Sequence, residues 1–430
     1  MACCSTRNGL IAGAVLGALV AVLGGILIPV GDSIITSTVT KEAAIENGTT
    51  AYDNWVSTGA FVYRQFWLFE VTNPAEVVNQ GATPEVVEKG PYTYRTRYLP
   101  KENITVHSNN TIAFLLPAGA IFERWMSVGP EEDNVTVLNL AVAGAYSLMP
   151  ETLHGLLNSM INKNKTSLFQ TRSVKEILWG YTDPMLRKEV GVFVPYNGTY
   201  DGYYNVFTGK DDISKVATID RWQGQRSVSA EFSSTVTLKG IKMYRYTLPP
   251  LLLAAPSVNP DNKCFCGNVH VTKNCTIGGV LDISSCRDKV PIYISLPHFL
   301  HGSEILRETV RGLSPSTEHH STYLDVEPTT GFTMNFAKRL QINMMYGPSS
   351  RITILNKVKD YTIFPVLWLN ETATLDDETA DMFKAELTSR VQTLEAVQIA
   401  LLVLGSVLCV ACAIAACVVR SKREKGKAAA

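Results

Sequence analysis

Two uncharged stretches, one near each end, constrain this chain more than anything between them. Residues 9–30 read GLIAGAVLGALVAVLGGILIPV, with no charge in 22 positions. Residues 397–419 read VQIALLVLGSVLCVACAIAACVV, with Gln398 as the one strongly polar side chain. At a rise of about 1.5 Å per residue, each spans roughly 33 Å, the depth of a bilayer core. Two transmembrane helices are therefore expected. A cleaved signal peptide would have a shorter apolar run and a small-residue cleavage site; this run is long and leads into PVGD. A lipid-anchor signal would finish on its apolar tail, whereas here RSKREKGK follows, a stop-transfer pattern.

Charge sets the orientation. Arg420, Lys422, Arg423, Lys425 and Lys427 flank the second span, which puts residues 420–430 in the cytoplasm. With two spans, residues 1–8 lie there as well. Residues 31–396 form one ectodomain on the other side. Eight N-x-Ser/Thr sequons, at Asn47, Asn103, Asn109, Asn134, Asn164, Asn197, Asn274 and Asn370, all fall in it, and none lies in a tail. That distribution points to a glycosylated lumenal or extracellular domain. Without the tails' six basic residues and one acid, 33 basic stand against 38 acidic residues. A net charge of −5 excludes a nucleic-acid-binding surface.

In the first span, small residues recur at every fourth position: Gly9, Gly13, Gly17 and Ala21. Such a face lets a helix approach closely in lipid, and suits either the second span or another copy of the chain in a homo-oligomer. Cys3, Cys4 and Cys417 are juxtamembrane and are candidate palmitoylation sites. Cys409 and Cys412 lie deeper, where a buried thiol is expected.

The ectodomain reads as mixed α+β, with mainly antiparallel strands. A helix is expected after Asp32, then strands over 61–71, 92–99, 111–116 and 135–142. Pro150 changes the period. Leu153, Leu156, Leu157, Met160 and Ile161 form an apolar helical stripe. A polar link carrying Lys163, Lys165 and Arg172 follows, and Ser173-x-x-Glu176 is a capping box opening a second short helix. Phe332, Met334, Phe336, Leu340, Ile342 and Met344 share one parity, predicting a half-buried strand with a bulge near Lys338. Residues 352–355 and 363–368 are expected as further strands.

Enzyme signatures are missing: there is no G-x-S-x-G elbow, Walker A loop, H-E-x-x-H helix or dinucleotide fingerprint. No enzyme activity, cofactor or metal is expected. His298, His301, His319 and His320 lack ligand spacing and read as exposed or hydrogen-bonded. Cys264, Cys266, Cys275 and Cys286 follow C-x-C-x8-C-x10-C, which fits no common zinc framework. In an oxidising compartment such a cluster is a disulfide staple. These features indicate a receptor, transporter or adhesion protein and name no ligand.

A series of ordered segments carries a resemblance. They include YRQFWLFEVTNP at 63–74, GPYTYR at 90–95, ILWGYTDP at 177–184, NPDNKCFC at 259–266, ISLPHFL at 294–300, LDVEPTTGF at 324–332 and PVLWLNET at 365–372. With the two-span topology, the chain resembles the class B scavenger receptors, the family of the fatty acid translocase. The resemblance implies an antiparallel β-barrel-like core, an apical helical bundle containing 150–161 and 173–181, and an apolar tunnel. It places Lys163 near the tunnel entrance, where an ammonium can pair with a fatty acid carboxylate. Lys165 and Arg172 would join it in meeting anionic phospholipids of oxidised low-density lipoprotein.

The resemblance also implies a cell-surface scavenger receptor promoting lipid uptake, located in plasma-membrane rafts with a Golgi stage in transit, and signalling through Src-type kinases. A lysosomal sorting receptor of the same family and an adhesion receptor without a working tunnel are the alternatives. The tail lacks the acidic dileucine signal of the lysosomal members. The family's acidic stretch linked to thrombospondin is replaced by VHSNN, with His107, which argues against that partner. Between RSVS (226–229) and AEFSSTVTLKG (230–240) the family has about forty more residues, including two cysteines. The resemblance pairs Cys266 with Cys275. It pairs the positions of Cys264 and Cys286 with those missing cysteines, so here they bond to each other or stay free.

Overall fold

The computed structural model describes residues 6–57, 61–97, 99–196, 198–222, 230–286 and 289–428. It divides into two compact units, one of residues 1–44, 239–241 and 376–430, the other of residues 45–238 and 242–375.

The first unit is dominated by two long helices, Thr6–Ala43 and Ser389–Ala428. Both contain windows long and apolar enough to cross a membrane. Their outward faces carry exposed Leu, Ile and Val, as a lipid-facing surface requires. The small-residue face of the first helix packs on the second. A Cβ placed on Gly17 would lie 2.5 Å from the Cys409 backbone nitrogen, and one on Gly24 would lie 2.6 Å from that of Leu402. The polar residue of the second span is accounted for here: Gln398, 3% exposed, donates from Nε2 to the Leu27 carbonyl at 2.8 Å. In hydrocarbon that bond satisfies an amide that would otherwise be costly to bury.

The second unit is built on a ten-stranded antiparallel sheet. Its strands are β1 (Val62–Val71), β2 (Val86–Thr96), β3 (Ile121–Phe122), β4 (Glu231–Leu238), β5 (Ile241–Thr247), β6 (Val280–Asp282), β7 (Ile292–Ser295), β8 (Tyr323–Val326), β9 (Thr333–Tyr346) and β10 (Thr362–Thr374). The order is β4-β5-β8-β9-β10-β1-β2-β3, with β7 branching from β9 and β6 pairing β7. The expected barrel-like closure is not what forms: among the described residues β3 and β4 end the path without pairing, so the sheet is open. A four-stranded sheet, Ile219–Trp222, Tyr200–Phe207, Thr111–Pro117 and Glu102–Val106, stands beside a small cluster of Ile45, Ile112, Phe114 and Val206.

Three local expectations change. Residues 135–142 are not one strand: Asn134–Leu138 is a strand, and Asn139 then caps the helix Leu140–Leu148, its side chain accepting from the N–H groups of Ala141 and Val142. The run at 352–355 is a 3-10 turn over Thr353–Leu355, since Asn158 Oδ1 takes the Thr353 N–H at 2.9 Å and Leu355 plugs the core. Strand β9 is covered on both faces. Ala337, Gln341 and Asn343, of the supposedly solvent parity, are buried: the turn at 297–299 reaches over that face, where Gln341 Oε1 accepts from the His298 N–H. Its register break against β10 falls between Ile342 and Asn343, opposite the step from Leu367 to Pro365, and not at Lys338.

Candidate functional site

The apolar stripe after Pro150 does not go wholly into the core. The helix His154–Lys163 turns His154, Leu157 and Ile161 inward, with Leu157 at 0% and Ile161 at 1% exposure. Leu156 is 56% exposed, and Leu153, in the 3-10 turn before the helix, 45%. The interior accepts a narrower strip than the sequence offers, because His154 takes one of its places. Its Nδ1 lies 3.1 Å from Ser349 Oγ and its Nε2 3.3 Å from the Tyr146 carbonyl. Leu148, at the end of the preceding helix, is also exposed.

Lys163 ends this helix and is exposed, as is Lys165 in the turn that follows. Leu156 and Lys163 are seven residues apart, two helical turns, so they share a face about 10 Å long. That face carries apolar groups at one end and an ammonium at the other. Arg172 is not grouped with the lysines in the same way. It lies on the strand Phe169–Ser173, reaches Glu176 at 3.5 Å, and lies over the Tyr181 ring at 4.1 Å. The capping box is present: Ser173 Oγ accepts from Glu176 N, and Glu176 Oε2 accepts from Ser173 N at 3.0 Å.

Asn164 stands between the two lysines, and its Nδ2 donates to the Met160 carbonyl at 2.8 Å. Asn47, Asn103, Asn109, Asn134 and Asn274 are exposed. Asn370 is half-buried in mid-strand β10, its Nδ2 donating to Gln65 Oε1 at 3.1 Å. Asn197, Cys3 and Cys4 lie outside the described residues, as do residues 226–229. Cys417 is exposed on the second long helix.

Cys266 and Cys275 are bonded, with Cα atoms 5.7 Å apart. Cys264 is a free, exposed thiol. The backbone of Cys286 closes a 3-10 turn, Ser284–Cys286.

The sequence did not reveal a polar cluster in which the exposed Glu88 of β2 meets the buried His298 and His320 of the segments before β8 and Trp368 of β10. His298 Nε2 lies 2.6 Å from Glu88 Oε2, which also accepts from Trp368 Nε1 at 2.9 Å. His298 and His320 stack, ring centres 4.4 Å apart at 9°. The potential ligand atoms of Glu88, His298 and His320 lie within 4.8 Å of one another. Yet Ser314 N–H points at His298 Nδ1 and Ser316 N–H at His320 Nδ1, each at 3.0 Å. A metal on Nε2 would need the ring proton at Nδ1, where those donors already point. The backbone thus selects the Nε2–H tautomer in both rings. Burial first, and His298 second, lower the His320 pKa to about 4. The His298 N–H donates to Gln341 Oε1, and Gln341 to Asn343 Oδ1, which accounts for the buried polar side chains of β9. Histidines far apart in sequence gave no spacing signal for this arrangement.

A buried charge sits at the sheet centre. Glu371 on β10, 1% exposed, faces Arg64 Nη2 at 2.5 Å and Arg97 Nη2 at 2.7 Å. Burial alone would raise its pKa, but Arg97 and Arg64 outweigh this and hold the carboxyl well below the usual range.

Comparison with known proteins agrees with this architecture. A family model described as the CD36 family matches residues 15–228 and 225–416. The two matches overlap at residues 225–228. The chain is 30% identical to scavenger receptor class B member 1 of Sus scrofa over 91% of its length and 86% of that protein. It is 31% identical to the same receptor of Cricetulus griseus, over 92% and 86%. Against lysosome membrane protein 2 of Homo sapiens the identity is 32%, over 83% of this chain and 84% of that one. The chain belongs to the CD36 family, the family of the class B scavenger receptors.

Proposed function

We propose that this protein is a two-pass scavenger receptor of the plasma membrane, both termini cytoplasmic, that binds long-chain fatty acids and the anionic phospholipids of oxidised lipoprotein and promotes lipid uptake. The observation that carries the reading is the exposed helix face running from Leu153 and Leu156 to Lys163. Apolar groups with an adjacent ammonium match an amphiphile with an anionic head. Each buried methylene contributes about 0.8 kcal/mol, so affinity should rise with acyl length. Lys163 supplies the charge partner, with Lys165 beside it and Arg172 contributing field from its place near Glu176.

The test is saturable binding of a long-chain fatty acid by the purified full-length chain in detergent. Binding that grows with chain length and weakens in Lys163→Ala/Lys165→Ala supports the reading. Unchanged uptake of oxidised lipoprotein by that variant, at equal surface expression, would overturn it. Lysosomal sorting is the second reading, favoured by the 32% identity to lysosome membrane protein 2. Immunolocalisation of the tagged chain separates the two.

A further inference from the structure

Near the disulfide loop, in the ectodomain unit, lies a cavity of about 300 Å³ that the lipid reading does not use. That is room for about ten waters. Asp282 of β6 and Tyr293 of β7 line it, at 3% and 1% exposure. Asp282 Oδ1 accepts from the Ser284 N–H at 2.9 Å. Its Oδ2 has no hydrogen-bond donor among the described residues, and neither does the Tyr293 hydroxyl have a partner there. A carboxylate held by one backbone N–H has lone-pair sites left over, and this one opens them to the cavity, where a donor can reach.

Gly267 keeps that oxygen open. A Cβ at this position would come within 2.8 Å of Asp282 Oδ2 and 3.6 Å of Ser284 Oγ. The side chain of Asn268 ties the adjacent loop, its Oδ1 accepting from His270 and Val271 N–H. The Cys266–Cys275 bond closes the same loop. Lys289, exposed and without an ion pair among the described residues, lines the cavity too.

We infer that this cavity is a binding site for a small zwitterion with a primary ammonium group. An ammonium has three donors. Asp282 Oδ2, the Tyr293 hydroxyl and Ser284 Oγ are the three acceptors that meet them, and Asp282 supplies the countercharge. Lys289 takes the ligand's anionic group. The chemistry is that of an aminoethyl phosphate, free or as a lipid headgroup. Choline compounds, with no N–H, leave the three acceptors unpaired and are rejected. The inference stands apart from the fatty acid reading, whose residues lie elsewhere.

The test is calorimetric titration of the full-length glycosylated chain in detergent with O-phosphoethanolamine, and separately with phosphocholine. One saturable site for O-phosphoethanolamine is expected, with phosphocholine at least tenfold weaker. Asp282→Asn should weaken binding at least tenfold. Gly267→Ala should do the same without changing any charge, while Lys289→Ala weakens it less. Non-reduced peptide mapping of Cys266–Cys275 reports whether each variant keeps its fold. Vesicles with and without phosphatidylethanolamine tell a headgroup ligand from a free one. No saturable binding by the parent chain, equal binding of phosphocholine, or undiminished binding by folded Asp282→Asn and Gly267→Ala would overturn the inference.

Discussion

Glu371→Gln isolates the energetics of the sheet centre. The substitution keeps the volume of a side chain only 1% exposed and removes its charge. Arg64, 19% exposed, and Arg97, 34% exposed, would then face each other across a neutral amide. Two unit charges 4 Å apart interact by about 4 kcal/mol at an effective dielectric near 20, and the partial exposure of both guanidiniums screens some of that. Breaking a buried pair by removing one partner costs about 3–5 kcal/mol. The lower half of that range applies here, about 3–4 kcal/mol. At roughly 2 °C per kcal/mol for a domain of this size, Tm should fall by about 6–8 °C.

The assay is thermal unfolding of the detergent-solubilised chain at pH 7, repeated down to pH 3. The native pKa of Glu371 is depressed, so its stabilisation is complete above the unfolded carboxylate value, about 4.3. It is lost as pH falls below that value toward the native one. The parent and Glu371→Gln melting points should therefore converge in acid. A loss under about 1 kcal/mol at pH 7, or a gap that stays constant down to pH 3, would refute the argument.

His320 behaves differently, since burial lowers the pKa of a cation. The unfolded chain binds the proton first, so stability should decline as pH drops from about 6.5 toward 4; His320→Gln should flatten that part of the melting curve, and an unchanged slope would count against it. In the membrane pair, a Cβ on Gly13 would sit 2.8 Å from Cys412 Sγ, so Gly13→Cys should form an oxidant-induced bond within one chain. Proteolysis of the ectodomain should leave its fragments linked, whereas dimers alone would assign the small-residue face to a second copy. Asn164→Gln should increase gel mobility and raise binding of anionic vesicles, if a glycan flanked by Lys163 and Lys165 screens them; a change in neither measurement would show the sequon unused. Asn370→Gln should leave mobility unchanged, because its amide is engaged with Gln65 in mid-strand.

Much of this protein was legible in its sequence, for identifiable physical reasons. Hydrocarbon admits only helices and closed barrels, and an uncharged run of over twenty residues fits a helix, so residues 9–30 and 397–419 announced two spans without any tertiary information. The capping box at Ser173 and Glu176 is a contact over three residues, and it formed as read. Family motifs are local too, which is why membership could be recognised from short ordered segments of the chain. What only the tertiary structure decided rests on contacts between distant residues. Periodicity marked Leu153 and Leu156 as core, but the number of helix positions that the interior accepts is set by what packs opposite, and His154 displaced them. Alternation in β9 suggested one solvent face, yet neighbours more than forty residues away in β7 bury Asn343. Glu88 and His298 are 210 positions apart, Arg64 and Glu371 307. No pattern along the chain encodes such pairs, because the sheet that joins them exists only once the whole ectodomain has folded.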